Sequence, residues 1–397
     1  MMASHQGLPK IGILVIGGGI VGIATAGYLA QDGAEVAVID AGYVGGTTVN
    51  AGSLHVQMQS VFLERFPHLI PNLEKSLYLY KLAAAYWKTF QDELGVDCEV
   101  KISGGLMIAE DQRQLDFLAR KAKREKEFGL DVAILGRTEL DRVAPYLGPA
   151  VIGAEFCAHE GKVNPLLANA ATRRWARDRG ATLLWEEPVL RIERNGSGFR
   201  IATAKGVIKT GKVVLAAGYG SKALAAQLGF ELPAVGDPLH MNITESAAPF
   251  ITHLVQHAAR PITLKQLGGG QAVIGGGWPA ELGKPGEIVR NKLSSMIGNL
   301  SLAQHIVPQL ALLRVIRTWA GVNTGIDGCG VIGPVATIPG LYFAIPGDAG
   351  YTLGPITGRL AAECVLGRTP SGDISVCRPE RFSAGVTGNG SIAEKRG

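Results

Sequence analysis

The first patterned stretch is a short apolar run without alternation, residues 11–16, suited to a strand buried on both faces of a parallel sheet. Three glycines interrupt it at 17–19. Apolar positions then recur at helical spacing as far as Gln31, Gly33 closes that stretch, and residues 35–39 form a second apolar strand that ends at Asp40. Together these segments predict a βαβ unit. Residues 11–31 carry no charge and follow Lys10, so hydropathy alone points to a membrane span or a signal peptide. The three glycines and the change of period midway argue against both, and the chain reads as soluble and cytoplasmic.

Further along, apolar residues at 73, 77, 80, 84 and 87 predict an amphipathic helix over residues 72–94. Asn164 and Pro165 read as the N-cap and first position of a helix that continues to residue 179. Residues 213–217 form another apolar strand, closed by Gly218 and Gly220. From 234 to about 313 come short strand-like runs, notably 261–266 and 271–274, separated by glycines, which predict a largely antiparallel region. A helix-like stretch at 358–366 follows a glycine-rich run starting at Gly347. Residues 1–9 and the Gly/Ser-rich tail 383–397 read as flexible termini.

At 397 residues the chain is too long for one ordinary domain, and no block recurs at solenoid or propeller periods. Charged residues make up 18% against a usual figure near 25%, which implies extensive burial or large interfaces with partners. The net charge of +5 is spread along the chain. Its one basic run, Arg120, Lys121, Lys123, Arg124 and Lys126, is offset by Asp116, Glu125 and Glu127 and reads as a solvated helix face, not as a nucleic-acid surface. Cysteines 98, 157, 329, 364 and 377 are odd in number, scattered and never arranged C-x-x-C. They argue against a disulfide scaffold, a metal site or a self-contained iron–sulfur cluster.

The opening unit carries specific chemistry. Gly17 permits a tight turn, Gly19 lets backbone N–H groups approach a pyrophosphate at a helix N-terminus, and Gly22 lets helix and strand pack closely. Asp40 stands 23 residues after Gly17, where a carboxylate accepts from ribose hydroxyls. This predicts a bound dinucleotide but does not separate FAD from NAD.

Five pieces in one order carry a closer likeness: the fingerprint extended through Ala26, Leu29, Gly33, Val36 and Asp40; residues 103–109; residues 165–180 leading into Val189; residues 213–218; and residues 341–354. Over roughly residues 10–370 the chain resembles the D-amino-acid oxidase superfamily of FAD-dependent oxidoreductases. The resemblance implies an α/β fold: a Rossmann-like FAD-binding domain of glutathione-reductase type, discontinuous with an α+β substrate domain built on a mainly antiparallel sheet. The implied FAD domain comprises residues 10–85, 145–230 and 314–380; the substrate domain comprises 86–144 and 231–313. FAD is the implied cofactor. Its implied contacts are Gly17, Gly18, Gly19, Ile20, Val21, Gly22, Asp40, Ala41, Thr47, Thr48, Asn50, Ala51, Gly52, Ser53, Leu54, Val189, Ala217, Gly218, Gly347, Gly350, Tyr351, Thr352, Leu353 and Gly354. Val189 matches the position whose backbone meets the adenine, and the helix after Gly347 faces the flavin ring with its N-terminus.

The wording of residues 45–60 is similar to the B subunits of bacterial opine oxidases (octopine and nopaline oxidases). That likeness implies oxidation of an amino-acid-derived secondary amine by hydride transfer to flavin N5, with the imine hydrolysed to an amine and a 2-oxo acid. It also implies a redox partner A subunit and, often, a small third one. Many relatives acting on amino acids carry W-x-G-x-R-P, whose arginine grips a carboxylate, whereas this chain has Trp319, Gly321 and then Asn323. A simple α-amino acid is therefore less well served. Candidate catalytic or anchoring groups are His55, His240 and Lys265, with Arg317 also available; Gln57, Gln59 and Asn242 are candidates to accept from a substrate guanidinium. The alternatives left open are a dehydrogenase component acting on a D-amino acid, sarcosine or proline, a redox-inert assembly protein and a nicotinamide enzyme.

Overall fold

The structure, a computed structural model, describes residues 11–283 and 289–382. The expected flexible termini, 1–9 and 383–397, lie outside the described residues. The chain forms two compact units. Of the described residues, the first takes in 11–48, 169–236 and 323–382; the second takes in 49–168, 237–283 and 289–322.

The first unit is built on a six-stranded sheet in the order Val331–Pro334, Leu341–Ile345, Lys212–Leu215, Ile13–Ile16, Val36–Ile39, Thr182–Leu184. Every pairing is parallel except the outer one between Val331–Pro334 and Leu341–Ile345. The two opening strands are buried throughout, which is why their sequence shows no alternation. A three-stranded antiparallel meander, Val189–Asn195, Gly198–Thr203 and Gly206–Thr210, adds Ile192, Phe199, Ile201 and Ile208 to the sheet's core.

Two glycines bring helices Ile20–Gln31 and Gly354–Val365 into contact. A Cβ on Gly354 would fall 2.7 Å from Ile20 Cγ2, and one on Gly358 would fall 2.6 Å from the Ala24 Cβ. Residue 354 thus meets 20 and residue 358 meets 24, so the helices run side by side in the same direction. Their N-termini lie together where strand Ile13–Ile16 ends, at the carboxyl edge of the sheet.

The second unit holds all but the ends of two strands of an eight-stranded sheet in the order Val315–Gly325, Val235–Ser246, Gln271–Gly275, Thr263–Gln266, Leu254–His257, Gly105–Ala109, Gly153–Cys157, Val132–Gly136. From Val235–Ser246 to Val132–Gly136 the neighbours pair antiparallel, apart from Leu254–His257 beside Gly105–Ala109, which is parallel. A short ladder pairs Ser53–Leu54 with Gly161–Lys162.

Helix Ile70–Leu94 buries Leu73, Leu77, Tyr80, Ala84 and Trp87, the stripe its periodicity predicted. It belongs to the second unit, although the sequence grouped residues as far as 85 with the nucleotide domain. Its partners explain the difference: Arg124 grips Glu74 at 2.6 and 3.0 Å, and Lys81 Nζ donates to the Gly129 carbonyl at 2.9 Å. Residues 145–168 also sit here, because Gly153–Cys157 is an interior strand of the large sheet. Helix Gln112–Glu127 corrects a further expectation. Its basic run is not wholly solvated: the buried Lys121 Nζ lies 2.8 Å from Glu125 Oε1 and 2.8 Å from Glu155 Oε2, both buried.

Candidate functional site

In the first unit the glycines of the fingerprint occupy places where a side chain does not fit. Gly17 has φ +114°, and a Cβ there would meet Ala216 O at 2.5 Å and Ala217 N at 2.7 Å. A Cβ on Gly22 would fall 1.9 Å from Gly17 O, so turn and helix close on each other only without one. Gly19 precedes helix Ile20–Gln31 without a side-chain cap, and Ile20 N donates to Thr47 Oγ1 at 3.0 Å. With helix Gly354–Val365 beside it, two helix dipoles present their positive ends at one place, a setting that favours a phosphate or another anion.

Asp40 bounds the same edge. Its Oδ2 accepts from Gly18 N at 2.6 Å and its Oδ1 from Gly42 N at 2.8 Å. A carboxylate has about four acceptor positions, so both oxygens retain capacity for a ribose hydroxyl. Asn169, within the 165–180 segment but not among the expected contacts, ties the surrounding loops together: its Nδ2 donates to Thr47 O at 3.0 Å and its Oδ1 accepts from Tyr351 OH at 2.9 Å. The last turn before helix Gly354–Val365 is closed by Leu353 N to Ala349 O and Gly354 N to Tyr351 O. Gly347 has φ +80° and Gly218 has φ +56°, with Tyr219 N donating to Thr324 Oγ1 at 3.1 Å. Val189 begins the meander and pairs with Thr203 across a bulge. The fingerprint, Asp40, Thr47, Ala217 and Gly218, and the run from Gly347 to Gly354 thus all belong to the first unit. A side-chain-free turn, paired helix N-termini and a carboxylate with spare capacity fit the pyrophosphate and ribose of FAD.

The remaining predicted contacts, Asn50, Ala51, Gly52, Ser53 and Leu54, lie in the second unit. Asn50 Oδ1 accepts from Gly52 N at 2.7 Å, and Gly52, at φ +74°, packs so that a Cβ would fall 2.1 Å from Val163 O. Lys265, buried on strand Thr263–Gln266, donates from Nζ to Ser53 Oγ at 2.6 Å. Burial, with the charge of Lys162 nearby, brings its ammonium down to about 7. Burial and the Lys265 charge push the His55 imidazole down to about 3, so it is neutral at ordinary pH. Gln59 Nε2 lies 3.3 Å from His55 Nδ1, which marks that nitrogen as the acceptor.

Two buried carboxylates hold the segment that carries His55. Glu160 accepts from Val56 N (2.8 Å), Gln57 N (3.1 Å), Gln57 Nε2 (2.8 Å) and Gln256 Nε2 (2.9 Å). Burial pushes its carboxyl up to about 7 against the pull of these donors. Glu125 Oε1 accepts from Met58 N at 2.6 Å. Glu160 and Glu125 are isolated acids in sequence, and only the fold brings them to residues 56–58.

Other candidates serve the interior. His240 is fully buried, with Nδ1 3.0 Å from Asn291 Oδ1 and Nε2 3.0 Å from Asn242 Oδ1, so both ring nitrogens are engaged. Asn242 Nδ2 goes on to Asn299 Oδ1 at 3.0 Å. Gln57 is bound to Glu160, and Gln59 donates to Gln256 Oε1. Arg317 is exposed, its guanidinium 5.9 Å from the Trp319 ring centre. Trp319 Nε1 donates to Val49 O at 2.8 Å, and a Cβ on Gly321 would fall 1.9 Å from Val49 Cγ2. The tryptophan and glycine of that motif therefore seat the chain at Val49, while Asn323 lies half-buried on strand Val315–Gly325.

Comparison with known proteins agrees with this geometry. The model of the family described as DAO, FAD dependent oxidoreductase, matches residues 12–364. The chain is 25% identical to the beta subunit of sarcosine oxidase from Rhizobium meliloti (strain 1021), over 95% of this chain and 89% of that protein. It is 26% identical to the B subunit of opine oxidase from Agrobacterium tumefaciens (strain Ach5), over 94% and 98%. Among solved structures, L-proline dehydrogenase from P. horikoshii matches with a TM-score of 0.78 and 26% identity, over 95% of this chain and 99% of that one. Glycine oxidase from Geobacillus kaustophilus matches with a TM-score of 0.79 and 23% identity, over 93% and 98%, and shares the fold. Among the described residues, no helix is long and apolar enough to cross a membrane.

Proposed function

Because the chain belongs to the DAO family of FAD-dependent oxidoreductases, we propose that it oxidises the C–N bond of an amino-acid-derived secondary amine of the opine type. The imine is then split by water into an amino acid and a 2-oxo acid. The observation that carries this reading is the buried amine of Lys265, held on Ser53 and poised to change charge near neutrality. A secondary amine must be unprotonated at nitrogen to be oxidised, and a group titrating near 7 serves as the acceptor of that proton.

Residues Gly17 to Gly22, Asp40 and the two helix N-termini hold the dinucleotide. Bound FAD supplies the two-electron acceptor. Ser53 Oγ fixes the Lys265 nitrogen, which in its neutral form takes the substrate's proton and in its charged form meets a carboxylate. His55, neutral beside it, adds a polar contact without a second positive charge. Glu160 and Glu125 keep residues 56–58 in place by accepting from their backbone N–H groups. Asn323, uncharged where amino-acid-oxidising relatives carry arginine, favours a substrate anchored otherwise than a simple amino acid.

The chain acts in this reading as the flavin-bearing component of a heteromeric enzyme, with an A-type redox partner and, as often in such enzymes, a small third subunit. Two things support it: relatives named as subunits over nearly their whole length, and a charged fraction of only 18%. The test is copurification from the native source, then an anaerobic screen of opines, D-amino acids, sarcosine and proline for loss of flavin absorbance. Bleaching by an opine in preference to the others is expected. Bleaching by a D-amino acid, sarcosine or proline alone would replace the opine reading, and no bleaching by any amine would end it.

A further inference from the structure

Strand Thr182–Leu184 lies parallel to Val36–Ile39 with Leu184 opposite Ile39, so the next residues, Trp185 and Asp40, emerge side by side at the carboxyl edge of the first unit's sheet. The Trp185 ring rests on the fingerprint itself: a Cβ on Gly18 would fall 2.4 and 2.6 Å from two ring carbons and 2.9 Å from the Asp40 Cβ. Arg173, on helix Pro165–Asp178, places its guanidinium 4.6 Å from the centre of the same ring. The backbone around the ring is tied down on both sides. Lys205 Nζ donates to Trp185 O at 3.2 Å, Glu187 N donates to Asp40 O at 2.9 Å, and the buried Glu187 carboxylate accepts from Thr203 Oγ1 at 2.6 Å. Between these ties Glu186 has φ +54°, a left-handed conformation that costs a non-glycine residue energy and that persists where the surroundings enforce it, often at ligand clamps.

A pyrophosphate held at the helix N-terminus after Gly19, with a ribose hydroxyl on Asp40, would leave the base to lie along the carboxyl edge on the side of strand Thr182–Leu184. A half-buried indole held from one direction by a cation stands at that place. We propose that Trp185, backed by Arg173, is the platform on which the adenine of FAD stacks. A tryptophan that merely plugged the turn would contribute to folding and leave no adenine-dependent signature.

The test uses the full-length chain stripped of flavin, titrated with FAD by fluorescence and with ADP, the adenosine half alone, by competition. Trp185→Ala is expected to weaken FAD and ADP by the same factor, about 5- to 150-fold, the range for loss of one base–aromatic stack. Trp185→Phe recovers most of that loss, and Arg173→Gln shifts both ligands in the same direction by a smaller factor. Should Trp185→Ala fail to fold, the phenylalanine and Arg173→Gln variants carry the comparison. Unchanged FAD affinity in a folded variant, or weaker FAD with unchanged ADP, overturns the assignment.

Discussion

Lys265→Met removes a buried amine while keeping most of the side chain's length, and its consequences follow from the lysine's environment. An ammonium brought from its ordinary 10.5 to about 7 makes the folded protein bind fewer protons than the unfolded chain between those values. Because the folded value is depressed, protonation opposes folding: stability is lowest below pH 7, rises through the window from 7 to 10.5, and is level above it. The drop is 10.5 minus 7, and at 1.36 kcal/mol per unit it amounts to on the order of 5 kcal/mol. Lys265 is fully buried, so solvent screening does not erase the effect. Methionine carries no such dependence. Thermal unfolding of wild type and Lys265→Met at fixed ionic strength, from pH 6.5 to 10.5, follows this group, since His55, whose imidazole the Lys265 charge helps to lower to about 3, titrates below that window. The wild type gains on the variant as pH rises; at about 1 °C per kcal/mol for a chain of 397 residues the gap between midpoints changes by roughly 6 °C. A gap that stays constant across the window would show that the amine is not held at a depressed value, and the proposed proton acceptor would go with it. The matching kinetic result is a pH profile of amine-driven flavin reduction that loses its break near 7 in the variant.

Gly22→Ala places a Cβ 1.9 Å from Gly17 O, so the variant is expected to purify with little or no flavin, read as the ratio of visible to ultraviolet absorbance; a fully yellow variant contradicts the close-packed turn. Glu160→Ala leaves four buried N–H donors without their acceptor and should cost roughly 3 kcal/mol or more, measured by denaturant unfolding. His240→Ala should lose roughly 2–4 kcal/mol by orphaning Asn291 and Asn242, yet leave the pH profile of amine-driven flavin bleaching where it was; a displaced profile would return His240 to the site.

The opening βαβ turn was legible because each of its requirements leaves a mark in sequence. A buried strand reads as a solid apolar run, a close approach reads as glycine, and the acid falls a fixed distance beyond, as in Gly17, Gly22 and Asp40. The second unit was harder for two physical reasons. Helix Ile70–Leu94 announces its buried stripe but not which surface will cover it, and the partners that settle this, Arg124 and Gly129, lie about 50 residues away. Lys121 looked solvated because a basic run has the same composition whether one of its members turns inward or not. Burial is visible only when Glu125 and Glu155 arrive to match its charge. Histidine at 240 is equally opaque: the asparagines that engage both its nitrogens are 2 and 51 residues distant.

The pairing of the two ends of the first unit shows how far glycine can be read. At 354 and 358 it recurs with the period of one helical turn, which marks a smooth stripe on one face, and Ile20 and Ala24 share that period on the opening helix. Spacing alone does not reveal whether such stripes meet parallel or antiparallel. The structure answers it, since 354 meets 20 and 358 meets 24, and the answer has an electrostatic consequence. Antiparallel helices would oppose their dipoles at each end and cancel, whereas these two add at the carboxyl edge. A negative charge held or formed at that edge is therefore stabilised by both termini, and a larger residue at 358 would weaken that stabilisation by prising the helices apart without touching the ligand.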